Sequence, residues 1–327
     1  MTEEKIRLVY ILAASHSGST LLSMLLNSHP DVCTVGELKI TSLGNVDAYR
    51  CSCLQPVLRC QFWSGIKEDM AKRGLTFDIA HPGTDLRSGA SPYVYSLLRP
   101  LHRGAMLEWM RDLALALSPS WRVHRRRIQS VNANLMSCVL ARSGKRVIVD
   151  SSKDGIRLKY LLRNPSLDVR VVRLIRDGRA VTLTYIDPER FADASDPRLR
   201  GGGAGSDRRD ERLSTEAATH QWRRSNEEAE LLIAQLEPGR WTEVRYEELC
   251  TQPEATLRKL LAFVGVDPDR PRPEFRAIAH HVIGNGMRLD STSEIRLDDR
   301  WRTALAETDL AAFDAIAGNL NRRLGYS

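Results

Sequence analysis

The chain has 327 residues, 42% of them hydrophobic and 27% charged, which is ample apolar content for a packed core and excludes a disordered chain. Lys and Arg number 48 against 41 Asp and Glu, and the resulting charge of +7 favours anionic ligands. No apolar run approaches the roughly 18–20 residues of a membrane span, and six cysteines in so long a chain form no dense disulfide framework, so a reducing cytoplasm is the expected setting.

Ile6 to Ala13 is an apolar run that predicts a strand. It stops at Ser15-His16-Ser17-Gly18-Ser19-Thr20 and continues in the helical pattern Leu21 to Leu26. A strand, a small-residue turn and a helix make an anion cradle, because the first helical N–H groups lack intrahelical acceptors and the helix dipole favours negative charge there. Leu8 to Ala14 also has the length of a signal-peptide core. Glu3 and Glu4 before it, and the turn and helix after it, argue against that reading.

The next apolar run, Val147-Ile148-Val149, lies far beyond the reach of a simple crossover. The intervening residues include the helical patterns Pro92 to Leu117 and Val123 to Ala141, and residues 51–127 are expected to form an inserted helical subdomain covering the site. The second run ends in Asp150-Ser151-Ser152-Lys153. A third, Val169 to Ile175, ends in Arg176-Asp177-Gly178. All three runs carry polar residues at their C-terminal sides, where open parallel sheets place their ligand crevice, so the three clusters are expected to converge.

Residues 196–212, centred on Gly201 to Gly205, predict a flexible loop, either a lid or a plain surface loop. Helices are expected over Thr215 to Gln235, Pro253 to Phe263 and Leu305 to Leu324, with a strand at Trp241 to Tyr246. The expected fold is α/β: a P-loop-like parallel sheet flanked by helices, one domain over 1–327 carrying the insertion.

The turn lacks the Lys of the nucleotide-triphosphate loop G-x-x-x-x-G-K-[ST], which leaves magnesium-dependent ATP hydrolysis poorly supported. Ser17-Gly18-Ser19-Thr20 can still hold a phosphate through N–H groups and hydroxyls without a metal. Arg176 is followed by Thr184 about two helical turns on, so a guanidinium fork and a hydroxyl can meet a second anion. The plainer alternative pairs Arg176 with Asp177 or Asp150.

Taken together, these segments resemble sulfotransferases that use 3′-phosphoadenosine 5′-phosphosulfate (PAPS), in particular the bacterial, carbohydrate and tyrosyl-protein branches. Ser15 to Leu22 resembles the 5′-phosphosulfate loop of that family, and Arg176 to Thr184 its 3′-phosphate segment. His29-Pro30-Asp31-Val32, Gly36-Glu37, Val244 to Leu249 with Pro253, and His281 to Arg288 also match. The resemblance implies that Ser15, His16, Ser17, Gly18, Ser19, Thr20 and Leu21 hold the 5′ end, that Arg176 and Thr184 hold the 3′-phosphate, and that Tyr246, Asn285 and Arg288 complete the nucleotide site, Arg288 as a second fork. It further implies transfer of a sulfuryl group from PAPS to a hydroxyl or amine of a small-molecule, lipid or glycan acceptor, with release of PAP and no metal required.

Two positions depart from the family pattern. His16 stands where Lys or Arg is usual, and Thr184 replaces Ser. Glu37 matches the catalytic base of the tyrosyl-protein branch, His16 would polarise the transferring group, and Lys153 could supply the cation missing at position 16. The alternatives are a nucleotide kinase-like phosphotransferase, which the absent Lys disfavours, and a catalytically inactive nucleotide-binding protein. No nucleic-acid motif is present.

Cys51, Cys53 and Cys60, followed by Phe62-Trp63, could bind zinc with a fourth ligand such as Cys33 or a His. Their spacing is not the paired C-x-x-C of structural zinc sites, which favours reduced thiols or one disulfide from Cys60. The basic run Arg122 to Arg127 could attract an acidic acceptor or a membrane surface, and its plainer reading is a solvated helix face.

Overall fold

The computed structural model describes residues 4–40, 43–99, 104–192, 194, 196–203, 209–278 and 280–327. Its framework is one sheet of five strands: β1 (Ile6–Ala13), β2 (Val32–Thr34), β3 (Val147–Lys153), β4 (Leu167–Ile175) and β5 (Trp241–Arg245). Their spatial order is β2-β3-β1-β4-β5 and every pairing is parallel.

β1 lies at the centre and is buried on both faces, which is why it reads as a continuous apolar run rather than an alternating one. Leu8, Tyr10 and Leu12 pack on one side, in a core shared with Ile148, Val171, Leu135 and Val139. Val9, Ile11 and Ala13 face the other side, against Leu22, Leu25 and Leu26 of helix α1 (Ser19–Asn27) and Leu257 to Leu261 of the Pro253–Val264 helix.

Between β2 and β3 run α2 (Gln61–Lys72), α3 (Pro92–Leu97), α4 (Ala105–Leu117) and the long α5 (Pro119–Ser143). α3 and α5 each begin with a Ser side-chain cap followed by Pro in the first turn, a pairing that satisfies an orphan N–H and presets the backbone. The pattern Pro92 to Leu117 is thus two helices, and residues 100–103 between them lie outside the described residues. α6 (Gly155–Leu162) and α7 (Gly178–Ile186) follow β3 and β4, and the chain closes with helices Thr215–Ile233, Pro253–Val264 and Glu307–Arg323.

Two strand readings need correction. β2 has only three residues, too few for periodicity to reveal, so the Val147 strand is third in chain order rather than second. β3 also runs on through Asp150-Ser151-Ser152-Lys153. A charged residue can sit inside a buried strand here because the fully buried Asp150 carboxylate accepts from the Leu38 N–H at 3.2 Å, the Ser152 N–H at 3.0 Å and Arg157 Nε at 2.9 Å. Among the described residues, no helix is long and apolar enough to cross a membrane.

Candidate active site

The ends of all five strands meet at one cavity of about 1260 Å³. After β1 the backbone passes through His16 at φ 62° and Gly18 at φ 90° before α1 begins. A non-glycine residue in the left-handed region is a strained one, and such strain gathers at binding sites. At Gly18 a Cβ would sit 2.5 Å from Cδ2 of Tyr246, so the ring of Tyr246 closes over the turn only because this residue is glycine.

The first helical bond runs from the Leu22 N–H to the Gly18 carbonyl at 3.1 Å, and the Ser19, Thr20 and Leu21 N–H groups therefore have no intrahelical acceptor. The Ser17 hydroxyl is buried and has no hydrogen-bond partner. An orphaned buried hydroxyl costs of order 1–3 kcal/mol unless a ligand satisfies it. Ser15, His16, Gly18, Ser19, Thr20 and Leu21 line the cavity, and the imidazole of His16 meets the ring of Tyr185 edge-on at 4.7 Å.

Glu37 and Lys153 reach the same cavity from the ends of β2 and β3 and form an ion pair with each other. Lys153 is held at φ 67°, its ammonium also donating to the Ser151 carbonyl at 3.3 Å. The Ser151 N–H in turn donates to the Gly36 carbonyl at 3.1 Å, which ties the two strand ends together. Gly36, at φ 85°, is required because a Cβ there would collide with the Ile283 carbonyl.

Arg176, at the end of β4, donates to the His16 carbonyl at 2.7 Å and to the carbonyl and Oδ2 of Asp298, both at 3.0 Å. Its guanidinium lies over the ring of Tyr246, 4.3 Å from the centroid, and its buried Nε has no acceptor. Neither Asp177 nor Asp150 is its partner: Asp177 pairs with Arg179 at 2.7 Å and Asp150 with Arg157. Burial acts to raise the Asp298 carboxyl, but Arg300 and Arg176 outweigh it and bring it down to about 2. Burial likewise pushes the Tyr246 phenol well above its usual range, leaving it a neutral stacking surface.

Thr184 also lines the cavity, its hydroxyl donating to the Ala180 carbonyl one helical turn back at 3.0 Å. Tyr246 and Asn285 are lining residues as well, and Asn285 Oδ1 caps the following turn through the Met287 N–H at 3.0 Å.

Arg288 is elsewhere. It is buried, and its donors are spent on the carbonyls of Val282, Gly284, Asn285 and Arg50, with the ring of Tyr49 4.7 Å from its guanidinium. It braces a turn behind the cavity wall instead of offering a second fork.

The insertion is also placed differently from expectation. None of the described residues in 51–127 lines the cavity. Trp63, Ile66 and Met70 of α2 pack instead with Leu135, Met136 and Val139 of α5 in the core beside the sheet, whereas α4 leaves Met106, Trp109, Met110 and Leu113 exposed. Asn45 and Tyr49 supply one wall, and Gly201, Gly202, Asp210 and Glu211 another. The second group falls in the 196–212 segment, of which 204–208 lie outside the described residues. In the basic run, Arg122, Arg126 and Arg127 are exposed while Trp121, His124 and Ile128 are buried, which is a solvated helix face.

All six cysteines are free thiols, and the disulfide considered for Cys60 is not formed. Sequence reasoning missed Tyr185, Tyr49 and Asp298. Tyr185 adjoins Thr184 and could have been read from the helix, whereas nothing local marks the other two.

A parallel α/β sheet whose strand ends bring a turn of unpaired N–H groups, a carboxylate–ammonium pair and a buried guanidinium to one cavity has the arrangement suited to group transfer from a phosphorylated co-substrate. Comparison with known proteins agrees. Residues 114–270 match the model of the sulfotransferase family. Human carbohydrate sulfotransferase 6 is 24% identical, the match spanning 97% of this chain and 80% of that protein, and human carbohydrate sulfotransferase 5 is 24% identical over 97% and 77%. The sulfotransferase domain from the curacin biosynthetic pathway shares the fold, with a TM-score of 0.51 at 18% identity over 99% of both chains. The chain is thus similar to sulfotransferases in sequence, over 114–270 to the family model and over nearly its whole length to the carbohydrate sulfotransferases, and similar to a sulfotransferase domain in fold.

Proposed function

We propose that the cavity binds PAPS with its 5′ end in the Ser15–Leu21 turn and its 3′-phosphate at Arg176, and delivers the sulfuryl group to a hydroxyl of a carbohydrate or other small acceptor. The observation that carries this reading is the convergence of two separate anion sites, with Glu37 and Lys153, on one cavity. Its volume exceeds the several hundred Å³ of a typical small-ligand site, which leaves room for nucleotide and acceptor together. The donors fit the group: an orphaned Ser17 hydroxyl, three free helical N–H groups and an unpartnered Arg176 Nε all seek an anion.

When bound, PAPS supplies the sulfuryl group and PAP leaves. The turn N–H groups and the Ser17, Ser19 and Thr20 hydroxyls hold the 5′ end and stabilise charge on the moving group. His16 and Lys153 bring hydrogen-bond donors to that same place, Lys153 standing in for the cation the family carries at position 16. Glu37 takes the proton of the acceptor hydroxyl. Thr184 donates its hydroxyl to the 3′-phosphate by turning it from the Ala180 carbonyl, and Tyr246 and Asn285 line the nucleotide.

A carbohydrate acceptor is supported by relatives with that name matching 97% of the chain. Cysteines of which none is in a disulfide support a reducing compartment, the cytoplasm.

Incubation with PAPS and a panel of sugar, lipid-linked and small hydroxylated acceptors should release PAP and transfer label. Preference for ATP, or no turnover with any acceptor while PAP still binds, would overturn the reading. Replacing Glu37 with Ala should cut turnover by about 10²–10⁴-fold with PAP affinity kept. Wild-type turnover in that variant removes Glu37 from the chemistry.

A further inference from the structure

Away from the cavity, the Sγ atoms of Cys51, Cys53 and Cys60 and a ring nitrogen of His281 all lie within 4.8 Å of one another. Cys33, the other candidate fourth ligand, sits in β2 and is not among them. We propose that Cys51, Cys53, Cys60 and His281 form a closed structural zinc site that fastens the start of the insertion to a wall of the active-site cavity.

The argument is first one of geometry. A tetrahedral zinc with Zn–S of about 2.3 Å and Zn–N of about 2.0–2.1 Å requires S···S edges of about 3.8 Å and S···N edges of about 3.5 Å. The Cys53 and Cys60 sulfurs are 3.7 Å apart, and Nδ1 of His281 stands 3.5 Å from the Cys60 sulfur and 3.7 Å from that of Cys51. Three thiols and an imidazole suit a soft, four-coordinate ion, and four protein ligands leave no open position for catalysis.

The ligands are also held in place. The Leu54 N–H donates to the Cys51 carbonyl at 2.8 Å and the Cys51 N–H to the Gln55 carbonyl at 2.9 Å, with Leu54 at φ 66°, so Cys51 and Cys53 share one tight turn. The ring of Phe62 stacks on His281 at 4.3 Å and 4°, fixing the plane of the imidazole.

The consequence is mechanical. His281 begins the strip that continues through Ile283, whose N–H donates to the Val35 carbonyl at 3.0 Å, to Gly284, where a Cβ would lie 3.7 Å from Glu37. The neighbouring Ser52 side chain already bonds both the His280 carbonyl and the Val282 N–H, at 2.6 and 2.9 Å. A metal at the cluster would lock this strip, and with it the wall beside Glu37.

Protein made without a polyhistidine tag, in medium containing zinc and purified without chelators, should carry about one zinc per chain by mass spectrometry of the elements. The metal-stripped, reduced protein should take up cobalt(II) with the visible bands of a tetrahedral thiolate site. His281→Ala and Cys60→Ser should lose zinc at least about tenfold, while Cys138→Ser, a buried cysteine outside the cluster, should retain it. Wild-type protein with less than about a tenth of an equivalent of metal and no cobalt bands would overturn the proposal. So would a Cys53–Cys60 disulfide mapped in freshly purified protein. Metal content is read without donor or acceptor, so its outcome is independent of the sulfuryl-transfer reading.

Discussion

The two ends of the cavity proposed to bind anions are built from different material. At the β1 end the donors are backbone N–H groups and a buried hydroxyl, fixed by the turn through His16 and Gly18 and roofed by Tyr246. At the β4 end the donor is a long side chain, and Arg176 already has a carboxylate partner in Asp298. Backbone donors cannot turn to another partner, so they stay open and preorganised. A guanidinium can recruit a counter-charge from within the protein, and an incoming phosphate then has to compete for it.

The strongest way to break this comparison is Gly18→Ala. The substitution forces a Cβ against Tyr246 and a side chain into positive φ, so PAP affinity should fall on the order of 10²-fold by calorimetry. If the backbone cradle is as rigid as described, adding Tyr246→Ala should relieve the collision without restoring affinity. A Gly18→Ala enzyme that binds PAP normally would show the turn to be pliable and the contrast wrong.

Arg176→Ala should cost about 10–100-fold in PAP affinity and, more tellingly, abolish discrimination between PAP and AMP. Arg176→Lys should recover part of the affinity, because a point charge replaces the fork. If the alanine variant still prefers PAP to AMP, the 3′-phosphate is held somewhere other than Arg176.

The same contrast explains what was legible in the sequence. The apolar runs of β1, β3 and β4 and the small-residue turn are local patterns, and the parallel sheet brings their polar ends together by topology. Lys153 could be nominated because it follows the apolar run Val147-Ile148-Val149, and Glu37 only because Gly36-Glu37 resembles the family's segment, β2 before it being too short to read. The partners were not legible. Asp298 lies far from Arg176 in sequence, within a segment of no regular periodicity, and only the folded chain puts it on the guanidinium. Arg288 failed in the converse way: its glycine-flanked context suggests a ligand, yet four carbonyls from the folded turn consume its donors. His281 likewise sits about 220 residues from Cys60, so no spacing rule could have assigned it to the cysteine cluster. The insertion was visible as a helical stretch, but which face it presents depends on α5, against which the apolar residues of α2 pack instead of facing the cavity.

The internal counter-charge offers a sharper test with a smaller effect and the opposite sign. Asp298→Asn removes a negative charge from the 3′ end, so PAP affinity should rise by about three- to tenfold, an effect that salt diminishes. No gain, or a loss, would mean that Asp298 helps to present Arg176 instead of competing for it.

The smallest effect is on stability, and its sign follows from the depressed carboxyl. The Asp298 pKa is lowered from 3.8 to about 2 in the folded protein, so its contribution is present above the unfolded value and is lost as pH falls through the folded one. At neutral pH the Asp298→Asn protein without ligand should melt about 1–3 °C below wild type, in keeping with a contribution on the order of 1–2 kcal/mol. That gap should hold from pH 7 to about 4 and then narrow, since below 4 the wild-type carboxyl begins to lose the advantage that the variant never had. Melting curves of both proteins over this range share every other acid-labile group, so the difference isolates the Arg176–Asp298–Arg300 network. A gap that stays constant down to pH 3, or none at pH 7, would show that the β4 end is not held by this charge pairing, and the distinction between the two ends would then rest on the backbone cradle alone.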